Sequence, residues 1–137
     1  MANAGRWNTP GRPVTYCATV PSLAALEKRG HVRDPTLLPP QAMVEYEFPD
    51  DLPRRTLKRS ELSPDWISRE VETQQLGDAW LDAVTEALLI VPSVIVPIDS
   101  APDRNVLINH RHPKAAEIKV VRTTPFILDP RLFRVKE

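Results

Sequence analysis

Proline is the residue that most restricts how this chain can fold. The sequence contains 15 prolines among 137 residues, roughly twice the usual share of about 5%. Those at positions 35, 39, 40, 49, 53 and 64 divide the middle third into short pieces. Proline has no amide hydrogen, and it disfavours helix in the residue before it. We therefore expect ordered, extended connections in the middle of the chain and no long helix there.

The N-terminal segment is predicted to form a β-hairpin. Asn8–Pro13 is rich in residues that favour turns, so the chain should reverse there. The reversal would place a strand over Val14–Val20 beside the segment that carries Arg6. Alternation along this strand puts Tyr16 on its more apolar face, where we expect it to be half-buried.

A short helix is predicted to follow over Leu23–Arg29. Ser22 is a suitable N-cap, and Gly30 stands where helices often end. Glu27 lies four residues after Leu23, so its carboxylate falls on or beside the inward face of this helix. Burial is costly for an unpaired carboxylate, which indicates that Glu27 meets a cation, a hydrogen-bond donor or a ligand.

The rest of the chain alternates short strand and helix patterns. The clearest helical periodicity covers Gly77–Leu88, with Asp78 as its N-cap. A kink at Pro92 and Ser93 separates two apolar runs, and we expect it to direct Ser93 into a cleft. A helical turn is predicted at Pro113–Glu117, and strands are predicted over Met43–Phe48, Leu88–Val91, Val94–Val96, Asn105–Ile108, Ile118–Arg122 and Pro125–Leu128. Several short strands with few helices indicate an α+β fold, a single domain with a bent, mixed β-sheet.

Charge and cysteine content exclude several classes of function. The 18 basic and 18 acidic side chains cancel, so no overall field would draw the protein to nucleic acid or to an anionic membrane. A basic cluster at Arg54, Arg55, Lys58 and Arg59 is expected to be a solvated face, because acidic residues follow it closely. The single cysteine, Cys17, excludes an internal disulfide, and the N-terminus lacks an apolar signal core. We expect a cytoplasmic protein.

Several motifs recur in a fixed order along the chain. The N-terminal motif is G-R-W-N-x-x-G-R-P-V-x-Y, which ends at Tyr16 and is followed by L-A-A-L-E, ending at Glu27. Later motifs are L-G-D-A-W-L from Leu76, V-P-S ending at Ser93, N-x-L-I-N-x-x-H-P from Asn105 and D-P-R-L from Asp129. Together they resemble the RES-domain family, the toxins of bacterial toxin–antitoxin pairs, over nearly the whole chain.

The resemblance implies a fold similar to that of ADP-ribosyltransferases and chemistry at the bond between nicotinamide and ribose in NAD. Glu27, Arg6 and Tyr16 then stand at the family's catalytic positions, and Arg6, Tyr16, Ser93 and Asn109 at positions that bind NAD. Glu27 would stabilise positive charge on the ribose, and Arg6 would clamp the phosphates. Tyr16 would stack on nicotinamide or hydrogen-bond the ribose, and Ser93 would position the ribose or the nicotinamide amide. NAD is the substrate, and no cofactor is expected to be required.

The resemblance also implies partners and boundaries. A cognate antitoxin of the Xre helix-turn-helix type would cover the NAD cleft, and a homodimer is possible; direct nucleic-acid and membrane binding are not expected. The RES domain would span residues 1–137, with the family's N-terminal segment short or missing ahead of Arg6. The ADP-ribose acceptor remains open among water, phosphate and a protein side chain.

Other functions and simpler roles remain as alternatives. One alternative is a catalytically impaired RES-like domain that binds an antitoxin without turnover, and another is a nucleic-acid binder that uses residues 54–59. In simpler structural roles, Arg6 and Glu27 form an ion pair, Tyr16 belongs to the core and Ser93 serves the strand kink. No metal site is predicted, because His110 and His112 with Cys17 or His31 match no strong ligand spacing.

Overall fold

The strands that the structure describes form two sheets that differ in size. A computed structural model describes residues 4–31 and 40–133. Its helices and strands follow in the order β1 (Val14–Ala18), α1 (Pro21–His31), β2 (Gln41–Glu47), β3 (Arg54–Thr56), α2 (Glu70–Ala83), β4 (Leu88–Pro92), β5 (Arg104–Asn109) and β6 (Lys119–Phe126). Short 3₁₀ turns lie at Arg59–Glu61, Trp66–Ser68, Pro113–Glu117 and Pro130–Phe133.

The larger sheet has four strands in the order β1-β5-β4-β3. β3 runs parallel to β4, whereas β4 with β5 and β5 with β1 are antiparallel. β2 and β6 form a separate antiparallel pair with a bulge next to Tyr46. The predicted α+β fold with a mixed sheet and short helices is therefore confirmed, and β1 lies at an edge of the larger sheet.

Both faces of the larger sheet are covered. Successive residues of β5 point to opposite faces, so Leu107 lies on one side and Val106 and Ile108 on the other. The Leu107 side packs with α2 and the indole rings of Trp7, Trp66, and Trp80. The opposite side packs around Leu52, Ala87, Leu88, Val106 and Ile108, with Phe48 and Ile118 against it. One compact sheet thus supports two layers of core.

The principal helix differs from its prediction. α2 covers Glu70–Ala83 and ends at Val84, which adopts a left-handed φ of 55°. The predicted helix over Gly77–Leu88 was right in its first half and wrong after Val84. The amides of Ala87 and Leu88 donate to the Pro53 carbonyl, at 2.9 and 3.2 Å, and Leu88 begins β4. Pairing within the sheet therefore displaced the helical continuation that local periodicity favours.

The predicted N-terminal hairpin is wrong. Gly5 and Asn8 bridge each other across a tight turn, with Gly5 N donating to the Asn8 carbonyl at 3.0 Å, so Arg6 is not part of a strand. β1 pairs instead with β5, with Tyr16 opposite Leu107. A local turn pattern can predict a reversal, but it does not specify which distant strand becomes the partner.

The shorter predictions had mixed outcomes. The strands over Met43–Phe48, Leu88–Val91 and Asn105–Ile108 and the turn at Pro113–Glu117 are confirmed with small shifts of boundary. Residues 94–96 are not a strand, and the two strands predicted between residues 118 and 128 are a single strand, β6. α1 is longer than predicted at both ends and includes Ser22 and Gly30. As the prolines indicate, residues 48–69 contain only one short strand and 3₁₀ turns.

Candidate functional site

The side chain of Arg6 holds its loop against the Trp66–Ser68 turn. Arg6 Nη2 donates to the carbonyls of Trp66, at 2.9 Å, and Ile67. The guanidinium carbon lies 5.6 Å from the centroid of the Trp66 ring, within the range of a cation–π contact. Arg6 Nε is buried and has no acceptor among the residues that the structure describes. Arg6 is therefore anchored, and one of its buried donors has no acceptor within the described residues.

The Arg6 loop, defined here as residues 5–8, is also bound to α2. Thr73 Oγ1 donates to the Arg6 carbonyl at 2.7 Å, and Gln74 Nε2 donates to the Gly5 carbonyl at 2.9 Å. Both donors lie on consecutive positions of the helix. The backbone of the Arg6 loop is therefore positioned by side chains of α2 rather than by a strand partner.

The segment just after the Arg6 loop is fixed to the next turns of α2. Asp78 accepts hydrogen bonds from the Thr9 amide at 2.9 Å and from Thr9 Oγ1 at 2.6 Å. Arg12 forms a two-pronged contact with Asp82, at 2.8 and 3.0 Å, and lies 3.4 Å from Asp78. Asp78 was predicted to be a helix N-cap, and this is wrong: it lies inside α2, where it binds a loop.

Tyr16 projects from β1 against the Arg6 loop. Its hydroxyl donates to Asn8 Oδ1 and accepts from the Trp7 amide at 3.1 Å. Gly5 lies against the ring, because a Cβ there would come 2.7 Å from Tyr16 Cζ. Burial raises the pKa of the Tyr16 hydroxyl to about 12, while 40% of the residue surface remains exposed. The hydroxyl is thus engaged, and part of the ring is free for contact.

Glu27 lies on α1, one turn after the fully buried Leu23. Its side chain is partly buried, as the helical spacing predicts. No hydrogen bond or ion pair joins Glu27 to any residue in the described ranges, so the structural ion pair with Arg6 is not formed. Glu27 is a half-buried carboxylate without a protein partner in the described part of the chain.

Ser93 and Asn109 are buried, each with 1% exposure. Ser93 Oγ accepts from the amides of Ile95 and Val96, both at 3.1 Å. Asn109 Nδ2 donates to the Leu81 carbonyl at 3.0 Å, and Asn109 Oδ1 accepts from the Arg111 amide at 3.1 Å. In this structure both side chains order the backbone around them, and their role in binding NAD stays a prediction.

The sheet register shows which predicted site residues lie together. Tyr16 and the Arg6 loop are in direct contact near the middle of β1. Asn109 pairs with Val14 at one end of β1, whereas Ser93 follows β4 at the other end. With about 3.3 Å of rise per residue, Ser93 and Asn109 are separated by roughly 20 Å along the strands.

The start of α1 lies at the same end of the sheet as Ser93. Arg104 pairs with Pro92 at the end of β4, and its amide donates to Thr19 Oγ1 at 2.8 Å. Thr19 is between β1 and α1, so this bond joins the start of α1 to that end of the sheet. The start of α1 and Ser93 therefore share an end of the sheet, and Asn109 lies at the opposite one.

The basic cluster is largely occupied by contacts within the protein. Arg54 donates to the carbonyls of Leu52 and Pro49, at 3.2 and 3.0 Å. Arg55 lies 3.8 Å from Glu61, and Arg59 donates to the Pro97 carbonyl at 2.9 Å. These contacts support the prediction of a structural, solvated face.

His110 and His112 each contact a neighbouring group and do not converge on a metal site. His110 Nε2 lies 2.6 Å from Thr15 Oγ1, and His112 Nδ1 accepts from the Lys114 amide at 3.1 Å. The side chain of His31 lies outside the described residues. Within residues 4–31 and 40–133, no group of His, Cys, Asp or Glu is arranged to bind a metal ion. Nor does the described chain contain a helix long and apolar enough to cross a membrane.

Sequence reasoning missed the residues that position the Arg6 loop. Thr73 and Gln74 bind the loop, Asp78 binds Thr9 just after it, and Asn8 within it binds the Tyr16 hydroxyl. None of these roles was predicted. The sequence contains a signal for the role of Asn8, because Asn8 stands between Arg6 and Tyr16 in the same N-terminal motif. It contains no such signal for Thr73 and Asp78, because their contacts depend on how α2 packs.

The fold and the site define the class of protein. A mixed α+β sheet carries a tyrosine on its edge strand, beside an arginine loop and ahead of a helix with a half-buried carboxylate, as expected for an ADP-ribosyltransferase-like protein. Residues 1–129 match the model of the RES domain, and the chain belongs to the RES-domain family.

The similar proteins cover nearly the whole chain. Toxin Res of Pseudomonas putida is 38% identical over 132 residues, which are 95% of this chain and 86% of that protein. Prs ADP-ribosylating toxin of a Sphingobium species is 34% identical over 134 residues, 95% of this chain and 81% of that protein. Toxin Res of Photorhabdus laumondii is 34% identical over 139 residues, 97% of this chain and 84% of that protein.

Proposed function

We propose that this protein is a bacterial toxin that consumes NAD by cleaving the bond between nicotinamide and ribose. One observation carries the proposal: over 95% of its length the chain is similar to a protein named as an ADP-ribosylating toxin. ADP-ribosylation requires breaking that same bond. The side chains of Arg6, Tyr16 and Glu27 support the proposal, because they are the three kinds of group that this reaction needs.

Each group fits one part of NAD. The exposed part of the Tyr16 ring offers a stacking surface for the planar nicotinamide, while its hydroxyl is already engaged. Arg6 carries a positive charge suited to the phosphates, and its Nε has no acceptor in the described part of the chain. Glu27 is a half-buried carboxylate that a ligand can reach without first breaking an ion pair in the described structure.

Glu27 would act during cleavage of the bond between nicotinamide and ribose. The bond between ribose C1′ and the nicotinamide nitrogen breaks heterolytically, and its electron pair neutralises the pyridinium ring, which leaves as nicotinamide. Positive charge then develops on C1′ and the ring oxygen of the ribose. A fixed carboxylate stabilises that charge and can also accept a hydrogen bond from a ribose hydroxyl. The acceptor adds its lone pair to C1′ and loses its proton.

The acceptor is water, phosphate or a protein side chain. Hydrolysis would yield ADP-ribose, phosphorolysis would yield ADP-ribose 1″-phosphate, and transfer would add ADP-ribose to a target protein. The name of the Sphingobium relative indicates that it modifies Prs, which makes Prs a reasonable protein acceptor to include. Ser93 and Asn109 would shape this site through the backbone that they order rather than through free polar atoms.

The proposed partners follow from the same class of protein. A toxin of this kind requires a cognate antitoxin, and we propose one of the Xre helix-turn-helix type that covers the NAD site. A homodimer is proposed as the oligomeric state. Copurification of the two proteins and light scattering of the toxin alone would test these two proposals.

The deciding experiment follows NAD loss and product mass with the purified toxin, free of antitoxin. Reactions contain NAD with no added acceptor, with phosphate or with purified Prs. Glu27→Gln keeps the size of the side chain and removes its charge, so we expect it to lower the rate at least about 100-fold. Lys28→Gln changes an exposed neighbour on the same helix and should retain wild-type activity.

The products then identify the acceptor. NAD loss that depends on Glu27 would support the proposal. Intact NAD in all three conditions, from a folded wild-type protein, would overturn it. That result, together with stable capture of an antitoxin, would favour the alternative of a RES-like interaction domain without turnover. In such a domain Ser93 and Asn109 would stay buried and would not contact NAD.

A further inference from the structure

Asn8 is a fully buried polar residue for which the proposed reaction has no direct use. Its exposure is 0%. Its Oδ1 accepts the hydrogen bond from the Tyr16 hydroxyl, and its Nδ2 donates to the Thr9 carbonyl at 3.0 Å. The Trp7 amide completes the surroundings of the hydroxyl by donating to it at 3.1 Å. The hydroxyl therefore donates one hydrogen bond and accepts another.

We propose that Asn8 is a positioning residue that holds the Tyr16 ring as a fixed, uncharged stacking surface for the nicotinamide of NAD. The inference rests on the proposed function and deepens it, because it assigns the contribution of Tyr16 to the ring and not to the hydroxyl. Of the two roles expected for Tyr16 from the sequence, it selects stacking over a hydrogen bond to the ribose.

The contacts around the hydroxyl carry this inference. A phenol hydroxyl has one proton to donate, and in this structure Asn8 receives it. To donate to a ribose, Tyr16 would have to leave Asn8 Oδ1 without that bond inside the protein, which is costly for a buried polar group. Gly5, packed against the ring, restricts its movement further.

The anchoring of the Arg6 loop makes Asn8 a suitable support. Thr73 and Gln74 bind the backbone of this loop, and Asp78 binds Thr9 immediately after it. Asn8 is thus attached to α2 through its neighbours on both sides. A residue held in this way can transmit the position of α2 to the ring of Tyr16.

The test is a double-mutant cycle on kcat/KM for NAD loss with Asn8→Leu and Tyr16→Phe. Each single variant should lower kcat/KM about 5- to 20-fold. The kcat/KM of the double variant should lie within about 2-fold of that of the less active single variant. Tyr16→Ala, which removes the ring, should cost about 100-fold or more. Because stacking binds substrate and transition state alike, the loss in Asn8→Leu should fall mainly on KM.

Gln74→Leu is the matched control. It removes the bond from α2 to the Gly5 carbonyl and loosens the same loop without touching the Tyr16 hydroxyl. Its effect on kcat/KM should therefore add to that of Tyr16→Phe. Equal losses from Tyr16→Phe and Tyr16→Ala would overturn the proposal, because the hydroxyl would then be the essential group. Additive effects of Asn8→Leu and Tyr16→Phe would also overturn it.

A second readout needs no turnover and separates this inference from the proposed function. The chain has two tyrosines, so Tyr46→Phe leaves Tyr16 as the source of a single ¹³Cζ resonance. Asn8→Leu should shift that resonance, and Gln74→Leu should not. An unchanged resonance in a folded Asn8→Leu protein would overturn the inference even if NAD is consumed. If Asn8→Leu does not fold, the comparison of Tyr16→Phe with Tyr16→Ala still decides the role of the hydroxyl.

Discussion

Asp78 and Asp82 occupy successive turns of α2 but have different environments. The Asp78 side chain is 17% exposed and accepts two hydrogen bonds from Thr9. The Asp82 side chain is 53% exposed and binds Arg12, which holds the pKa of that carboxyl below its usual value through a hydrogen bond. The first contact binds a partly buried backbone amide and hydroxyl, whereas the second is a surface ion pair. The two carboxylates should therefore differ in what they contribute to stability.

We expect Asp78→Ala to lower the free energy of unfolding by about 2–3 kcal/mol, because both Thr9 groups lose their acceptor. Asp82→Ala should cost less than about 1 kcal/mol, as expected for an exposed ion pair. Urea unfolding of the two variants measures both values under the same conditions. Equal losses would contradict the assignment of Asp78 as the anchor of the segment after the Arg6 loop.

At the scale of elements, the contact between α2 and the Arg6 loop depends on a glycine inside a helix. A Cβ at Gly77 would overlap the carbonyl oxygen of Trp7 and lie 2.7 Å from its carbonyl carbon. Glycine weakens a helix interior by roughly 0.5–1 kcal/mol relative to alanine. Here that cost allows the loop backbone to approach the helix closely. At the other helical glycine, Gly30 in α1, a Cβ would meet nothing within 4 Å among the described residues.

Gly77→Ala should therefore destabilise the protein by about 3 kcal/mol, because backbone atoms must move to admit the methyl group. Gly30→Ala is the matched control and should be neutral or stabilising by up to about 1 kcal/mol. Thermal and urea unfolding would distinguish them. A Gly77→Ala protein as stable as wild type would mean that the Arg6 loop is not packed on α2 as described.

At the scale of the whole molecule, the edge strand β1 has a protonated group on each face. Tyr16 faces the side with α2, and Cys17 packs against the core on the other side. Burial raises the pKa of Cys17 to about 11 and that of Tyr16 to about 12. Both groups hold their protons more tightly in the folded protein than in the unfolded chain. Their contribution to stability is therefore complete below about pH 9 and is lost as the pH rises through the folded values.

The free energy of unfolding should fall steadily above about pH 9, by roughly 2–3 kcal/mol at pH 11 after discounting for the exposed part of Tyr16. Cys17→Ala removes the thiol and should flatten the decline between about pH 9 and 11. Urea unfolding at a series of pH values measures how steeply the free energy of unfolding falls with pH. This slope does not depend on the packing contacts that Cys17→Ala also removes. The same slope in wild type and Cys17→Ala would refute this account.

Local chemistry explains which predictions could be made from the sequence. The placement of Glu27 beside Leu23 depends on a periodicity of a few residues and is confirmed. Tyr16 shares a face of β1 with Val14, as the alternation predicts, but at 40% exposure it is more exposed than its neighbours in the strand. The partner of β1 could not be predicted, because Leu107 lies far along the chain and the turn residues around Asn8 fit a hairpin equally well. The end of α2 was missed because Ala87 continues the helical pattern but is captured by the Pro53 carbonyl.

The sequence by itself determined the α+β fold class and the short connections in the proline-rich middle of the chain. Its motifs also determined the family. These three features depend on residue types, on spacings of a few residues or on the order of the motifs along the chain. Only the tertiary structure decided that the Tyr16 hydroxyl donates to Asn8 and that Arg6 binds the Trp66–Ser68 turn. It also decided that the side chains of Ser93 and Asn109 hydrogen-bond to backbone groups. Hydrogen-bond partners depend on which distant groups packing brings together, and no local pattern specifies them.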